Sequence, residues 1–339
     1  MWLKIAAMRL LPRSLRHRTI RSMLRLDEAV LSSVIVRVAD TKEEVIAAAR
    51  LLHDSYVGRG LMPPHPSGVR IVAHQALPET ITIVAKIDEQ VVGTLSLVLD
   101  AAMGLPMETI YAGEVQALRD AGRRVAEVGA LCIHRDYRHT GIAFLLNKLM
   151  WKTAQDALGV QDLLIAVHPY ASELYEAALH FEHIGPVRRY PGLSEAALAV
   201  ALRLDLVQAE ANYRRAWGRL PKTPSNPFYL YCERHDPQLH APVDARFVKK
   251  SWPKRILAIA ELFALRPESL KGVPKEQFDV LRAMITARYE WQAVSERPDK
   301  LAAWMAALDG DISELHSEPS APVQKATWLS TVEWAWANQ

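Results

Sequence analysis

The chain has 339 residues, enough for one large or two modest domains, and its composition (50% hydrophobic, 23% charged) is that of an ordinary globular protein. Its two cysteines, Cys132 and Cys232, lie far apart, so they give no sign of a disulfide framework or a zinc site and favour a reducing cytoplasm. The net charge of +3 is uneven: residues 1–26 carry seven basic residues and no acid, which leaves −4 for the rest.

Residues 1–33 form a basic leader. Its apolar stretch is too short for a signal peptide, and no run in the chain approaches the roughly 18 apolar residues that span a bilayer. Two interpretations stay open. The leader is either an amphipathic helix on an anionic surface, such as lipid or an acidic carrier protein, or a solvated terminus. We therefore predict a cytoplasmic protein, with peripheral contact at the inner face of the membrane under the first interpretation, and no nucleic-acid partner.

Residues 34–206 alternate between strand-like and helix-like patterns. The predicted order is β, α, β, β, β, α, β, α, β, which mixes a hairpin with crossover helices. This order predicts an α+β (mixed α/β) domain with one mixed central sheet flanked by helices. The predicted elements are Val34–Ala39, Lys42–His53 with Thr41 as N-cap, Ile81–Lys86, Val91–Leu99, Arg124–Ile133, Gly141–Leu158, Leu163–Val167, Tyr170–His180 and Ala197–Leu206.

The remaining chain divides in two. Residues 207–250 contain several prolines and are predicted to be an irregular connector without long helices. Residues 251–339 are predicted to be a helical C-terminal extension, in which Trp328, Val332 and Trp336 form a helical stripe. This extension is predicted either to pack on the catalytic domain as a small bundle or to form a platform for a membrane or carrier protein.

The most informative segment is the loop between the fourth strand and the helix at Gly141. Gly141 and the small Ala143 let the backbone approach a bulky ligand, and the first amides of a helix lack internal partners. Such amides bind phosphate at the positive end of the helix dipole, and Arg138 adds a charged fork. Dinucleotide, P-loop and serine-hydrolase glycine patterns are absent, and no metal site is predicted.

The spacing Arg138-x-x-Gly141-x-Ala143 after a strand resembles the donor motif of the Gcn5-related (GNAT) acyltransferases. The resemblance implies that this loop holds the diphosphate of coenzyme A or the phosphopantetheine of an acyl carrier protein. No cofactor is permanently bound on this view; acyl-phosphopantetheine or acyl-coenzyme A is a co-substrate. The implied donor-binding residues are Leu131, Ile133, Arg138, His139, Thr140, Gly141, Ile142 and Ala143.

The segment from Leu163 to Phe181 resembles the second GNAT motif. In that family a tyrosine protonates the departing thiolate, and the matching residue here is Tyr175; a phenol can supply such a proton. The competing interpretation is a half-buried helix aromatic. Two positions depart from the family pattern: His168 stands for the usual Asn, and His180 for the usual Gly.

Longer stretches within residues 35–206 resemble the long-chain N-acyl amino acid synthases, which are similar to acyl-homoserine-lactone synthases. The most specific run is Gly122–Leu131, where Gly129 and Cys132 replace the family's Ser and Ala. The resemblance implies that Glu127 faces the reaction centre, where a carboxylate can deprotonate an amine; the alternative is a strand-edge Glu paired with Arg123 or Arg124. Cys132 is expected to be a small core side chain.

These observations predict an N-acyltransferase that moves a long-chain acyl group from a carrier thioester to the α-amine of an amino acid by direct attack. An amide of the Glu127–Ile133 strand would hold the oxyanion. The acceptor carboxylate has candidate partners in Arg59, Arg70, Arg188 and Arg189, each of which can also be a surface residue. Two alternatives remain: an acyl-homoserine-lactone synthase, and a non-catalytic GNAT domain that binds acyl carrier protein and regulates a partner.

Overall fold

The computed structural model describes residues 11–77, 79–101, 103–190 and 198–247, and single positions between 255 and 279. Within these residues the chain forms one mixed sheet. Its strands, in chain order, are β1 (Val34–Val38), β2 (Thr80–Ile87), β3 (Gln90–Leu99), β4 (Val125–Ile133), β5 (Asp162–Val167), β6 (Glu182–His183), β7 (Arg188–Arg189), β8 (Leu198–Asp205) and β9 (Leu239–His240).

The sheet has the order β6-β8-β5-β4-β3-β2-β1-β9, with β7 paired to β8. Strands β1 to β4 form antiparallel neighbours, and β8 is antiparallel to β5. Two pairs are parallel, β4 with β5 and β1 with β9. This arrangement confirms the predicted mixed sheet, and it places β4 and β5 at the centre, where the crossover helix between them must cover one face.

Helices flank the sheet on both faces. They are α1 (Arg13–Ser22), α2 (Glu28–Ser33), α3 (Lys42–Gly58), α4 (Glu108–Asp120), α5 (Ile142–Lys152), α6 (Pro169–Leu179) and α7 (Leu206–Trp217). Helix α5 packs on the face that carries Ile133, together with α2 and α6. Helix α3 covers the opposite face around Cys132, and α4 covers the same face around Val125. No described helix combines the length and apolar character needed to cross a membrane.

Local sequence explains where several helices begin. The Thr41 hydroxyl accepts a hydrogen bond from the Glu44 amide at 3.3 Å, as the N-cap prediction requires. The Glu44 carboxylate turns instead to the Asp40 amide (3.2 Å) and to Arg37 (2.6 Å), so no reciprocal capping box forms. Asp205 caps α7 by accepting from the amides of Val207 and Gln208.

The structure contains two helices that the predicted elements lack. Helix α4 lies between Leu99 and Arg124, where no element is predicted, and it begins after Pro106. Helix α7 occupies residues predicted to be irregular, because the first proline of that segment, Pro221, lies beyond the helix end and cannot interrupt it. The predicted helical extension, with the stripe of Trp328, Val332 and Trp336, lies almost wholly outside the described residues.

The segment after α7 is clamped to the domain by a buried ion pair. The Lys148 ammonium donates to Asp236 Oδ2 at 2.7 Å and to the carbonyls of Leu230 (2.8 Å) and Arg234 (2.5 Å). Both charged side chains are almost fully buried. Because three acceptors surround the ammonium, the pair holds the Tyr229–Glu233 turn against α5.

Candidate active site

The central strands β4 and β5 separate near Glu127. Their pairing covers only Val125 to Glu127 on β4 and Asp162 to Leu164 on β5, although both strands continue further. On the other side of β4, a bulge sets Ala130 and Leu131 opposite the single residue Leu95. The bulge holds Ala130 in the left-handed region, at φ 54°. A V-shaped gap between strands therefore opens beside a stretch of β4 whose backbone is unpaired on the β5 side.

A groove lies on the α5 and α6 face of this gap and encloses about 780 Å³, its open mouth included. Its lining is mainly apolar and comes from β4, α5 and α6, with cover from the leader and from the Tyr229–Glu233 turn. The lining includes Leu26, Leu131, Gly141, Ala143, Tyr175 and Tyr231. The groove thus brings together Leu131, Gly141, Ala143 and Tyr175 of the predicted site.

Tyr175 lies half-buried on the groove wall, with its ring edge-on to Phe181 at 5.7 Å. Its hydroxyl has no hydrogen-bond partner among the described residues, and burial raises the pKa of Tyr175 to about 12. The phenol therefore stays protonated over the physiological range and has a proton to share with a group that enters the groove. Arg59, at the end of α3, lies within electrostatic range of Tyr175, and burial lowers the pKa of Arg59.

The start of α5 has the predicted backbone, but the leader covers it. Gly141 adopts φ 97°, and the amides of Ile142 and Ala143 have no acceptor among the described residues. Leu26 packs so closely on Gly141 that a Cβ there would lie 2.6 Å from the Leu26 side chain, and the Asp27 amide donates to the Thr140 carbonyl at 2.9 Å. A donor phosphate at these amides requires the leader to move, so this role stays a prediction.

The other predicted donor residues occupy different surroundings. Ile142 is buried, and Ile133 is buried beside it in the core, so a ligand can meet Ile133 only through its backbone. Arg138 is half-buried and donates from Nε to the Ile133 carbonyl at 3.5 Å. The Thr140 hydroxyl donates to the Tyr137 carbonyl at 2.6 Å, and His139 is exposed with φ 67°.

Helix α1 of the leader binds α6 through ion pairs. Arg13 pairs with Glu176 at 2.6 Å, and Arg16 pairs with Glu173. Arg21 donates to the Ala177 carbonyl at 3.2 Å, and Ile20 is buried. The described part of the leader, residues 11–33, is thus folded against the groove, while Leu11 and Leu15 stay exposed.

Glu127 points to the opposite face of the sheet, where Met107 packs, and it does not line the groove. It is only 6% exposed, and its Oε2 accepts a hydrogen bond from the Met107 amide at 2.7 Å. Burial raises the pKa of Glu127 to about 8, with a smaller contribution from the charge of Glu108. The predicted alternative, an ion pair with Arg123 or Arg124, does not occur: Arg123 binds Asp162 and Arg124 binds the Gly159 carbonyl.

Further sequence positions have clear places. Cys132 is buried under α3, with its Sγ 3.5 Å from the Leu51 carbonyl, as expected of a core side chain. His168, which departs from the family's Asn, caps α6 by accepting from the Tyr170 amide at Nδ1. His180, which replaces Gly, ends α6 in the left-handed conformation at φ 57°. Arg188 is engaged by Glu114 at 2.6 Å, and Arg189 is exposed.

The turn before α4 holds groups that the sequence interpretation missed. The Pro106–Met107 peptide donates its N–H to Glu127, and its carbonyl accepts from the Tyr190 hydroxyl at 3.1 Å. Glu108 braces this turn by accepting from the Leu105 amide at 2.6 Å. Nothing in the local sequence of residues 104–108 predicts a contact with β4. Among the described residues no cluster of acidic, His and Cys side chains is arranged for a metal ion.

The comparisons with known proteins bear on the class of this domain. The fold is GNAT-like, and the family match supports an acyltransferase. More narrowly, residues 47–205, just under half of the chain, match the family model for N-acyl amino acid synthase FeeM. No curated protein matches the sequence.

The solved structures that match this chain include three synthases. FeeM, an N-acyl amino acid synthase from uncultured soil microbes, is 25% identical and aligns over 52% of this chain and 93% of its own, with a TM-score of 0.46. The AHL synthase LasI is 18% identical over 51% and 90%, with a TM-score of 0.40. The CoA-dependent acyl-homoserine lactone synthase BjaI is 15% identical over 64% and 98%, with a TM-score of 0.42.

Proposed function

We propose that this acyltransferase moves a long-chain acyl group from a phosphopantetheine thioester, carried by acyl carrier protein or coenzyme A, to the α-amine of an amino acid. The observation that carries the proposal is the gap between β4 and β5. It separates an apolar groove with a protonated phenol on one face from a buried carboxylate on the other. Two substrates can thus approach one point from opposite sides.

In this mechanism the thioester lies in the groove, with its phosphate toward the amides that begin α5. The amine attacks from the side of Glu127, which removes its proton, and the tetrahedral oxyanion is held by an unpaired amide of the β4 bulge. The C–S bond then breaks, and the Tyr175 hydroxyl protonates the thiolate. A base whose pKa is near the working pH suits this task, and the pKa of Glu127, about 8, meets that condition.

Donor binding includes a movement of the leader. Because Leu26 occupies the space over Gly141, the phosphate and the Leu26 side chain exclude one another. The ion pairs between α1 and α6 lie at the surface and are individually weak, so the cost of displacing the leader is modest. An acidic carrier protein or an anionic membrane that attracts the exposed Arg18 and Arg25 would favour the displaced state.

The test is a turnover assay on the full chain with long-chain acyl carrier protein or acyl-coenzyme A and a mixture of amino acids, read by mass spectrometry. N-acyl amino acids support the proposal. Acyl lactones formed only with added S-adenosylmethionine would move the protein to the lactone synthases. If neither donor gives an acylated product, the non-catalytic interpretation is supported.

Tyr175→Phe tests the assignment of the general acid, with Tyr170→Phe on the same helix as its control. Loss of a general acid lowers kcat by a factor of about 10² or more. The control, which lies outside the groove lining, keeps its activity. Equal activity of the two variants would remove Tyr175 from the mechanism.

A further inference from the structure

Arg70 and Tyr56 form a pair on the Glu127 side of the sheet. The Arg70 guanidinium lies over the Tyr56 ring, with Cζ 3.9 Å from the ring centroid. The backbone of Arg70 is fixed by its amide, which donates to the Ala49 carbonyl at 3.0 Å, and by the buried neighbours Val69 and Ile71. A guanidinium that stacks by its face keeps the edge of its fork available for hydrogen bonds.

The charge of Arg70 is not neutralised within the described part of the chain. Three other half-buried arginines have carboxylates in contact: Arg119 binds Asp100 at 2.7 Å, Arg123 binds Asp162 at 2.5 Å, and Arg188 binds Glu114 at 2.6 Å. Arg70, which is half-buried, has no acidic partner among the described residues. A half-buried cation that the fold positions but does not pair is suited to an anionic ligand.

Tyr190 connects this pair to the carboxylate site. Its hydroxyl donates to the carbonyl of the Pro106–Met107 peptide, whose N–H binds Glu127. Tyr190 also lies within electrostatic range of Arg70, Tyr56 and Glu127. One region therefore presents a cation, Arg70, and a buried carboxyl, Glu127, with Tyr190 in range of both. An α-amino acid offers a carboxylate for the cation and an amine for the carboxyl, both attached to one α-carbon.

We propose that Arg70, stacked on Tyr56, binds the α-carboxylate of the acceptor and so turns its amine toward Glu127. This inference rests on the proposed function for the identity of the reaction, and it adds the residue that selects the acceptor class. A bidentate guanidinium–carboxylate contact makes the free acid a better acceptor than its uncharged amide, by a factor of roughly 10 to 100. This contact does not discriminate among acceptor side chains, which other residues must select.

The experiment compares a free amino acid with its amide as acceptors for the full-length chain and three variants. Arg70→Met removes the charge, Arg70→Lys keeps the charge without the planar fork, and Arg50→Met removes an exposed arginine of α3 as the matched control. The wild type and the control are expected to prefer the free acid. Arg70→Met is expected to lose that preference because the KM for the acid rises much more than the KM for the amide, and Arg70→Lys is expected to fall between.

Equilibrium binding of the same two acceptors, measured by calorimetry without donor, separates this inference from the proposed function. Suppose that neither the wild type nor any variant gives product, yet the wild type binds the acid more tightly than the amide and Arg70→Met does not. The carboxylate site is then supported, and the proposed reaction is not. If Arg70→Met keeps the preference for the acid in binding and in turnover, or weakens acid and amide equally, the inference is overturned. Thermal unfolding of each variant checks that the fold is kept.

Discussion

Burial of Glu127 predicts an unusual dependence of stability on pH. The pKa of Glu127 is raised from 4.5 to about 8 in the folded chain, so the native state holds this proton more tightly than the unfolded state. Stability from this group is therefore complete below pH 4.5 and is lost as the pH rises toward 8. At about 1.4 kcal/mol per pH unit, the loss over the whole interval is about 5 kcal/mol.

Glu127→Gln isolates this contribution. Glutamine is always neutral and can still accept from the Met107 amide, so the variant does not lose stability in the same interval. The difference in free energy of unfolding, variant minus wild type, should increase by roughly 2–3 kcal/mol between pH 5.5 and pH 7.5. Urea denaturation at the two pH values measures it.

Glu114→Gln is the matched control, because Arg188 holds the pKa of Glu114 below its ordinary value. Glu114 is already ionised in both states above pH 5, so its variant should show the same difference from wild type at pH 5.5 and pH 7.5. If the Glu127→Gln difference is also flat over this interval, the carboxyl is ionised in the native state, and its proposed role as a base with a raised pKa is refuted.

Three further predictions concern the bulge, the buried ion pair and the leader. Ala130→Gly should relieve a left-handed strain of roughly 1–2 kcal/mol against a glycine entropy cost of roughly 0.5–1 kcal/mol, so urea denaturation should show equal or higher stability, whereas Ala130→Val should destabilise. Lys148→Met should cost about 3 kcal/mol of unfolding free energy because Asp236 stays buried; a loss under about 1 kcal/mol would mean that the ion pair does not hold the turn. Leu26→Ala should lower KM for the acyl donor by up to about tenfold, since less apolar surface must leave Gly141; a higher KM would show that Leu26 binds the donor instead.

The sequence was most informative where structure is set by neighbours along the chain. The hairpin at Asp88, the cap at Thr41 and the strand–helix pairs ending at Gly159 and His180 follow from side-chain period and turn chemistry, and the structure has them. Helix α7 was not predicted, because the prolines of residues 207–250 were taken to exclude a helix, although the first of them, Pro221, lies after the helix end.

The features missed at the site depend on contacts between distant segments. The cover of Leu26 on Gly141 joins residues more than a hundred positions apart, and the hydrogen bond of Met107 to Glu127 joins a turn to a strand. Contacts between distant segments produce no periodic pattern in the sequence, so they cannot be predicted from it. The bulge at Ala130 was equally hidden, because alanine carries no preference for a positive φ and the strand pattern of β4 continues through it.

The additional residue in the β4 bulge changes the face of the sheet on which the following side chains lie. Side chains alternate strictly along an unbroken strand, so without the bulge Leu131 would face α3, on the side of Glu127. With it, Leu131 lines the groove while Cys132 lies under α3. Deleting Ala130 would restore a regular ladder in which Leu131, Cys132 and Ile133 keep these surfaces, whereas regular pairing through all residues of β4 would exchange them.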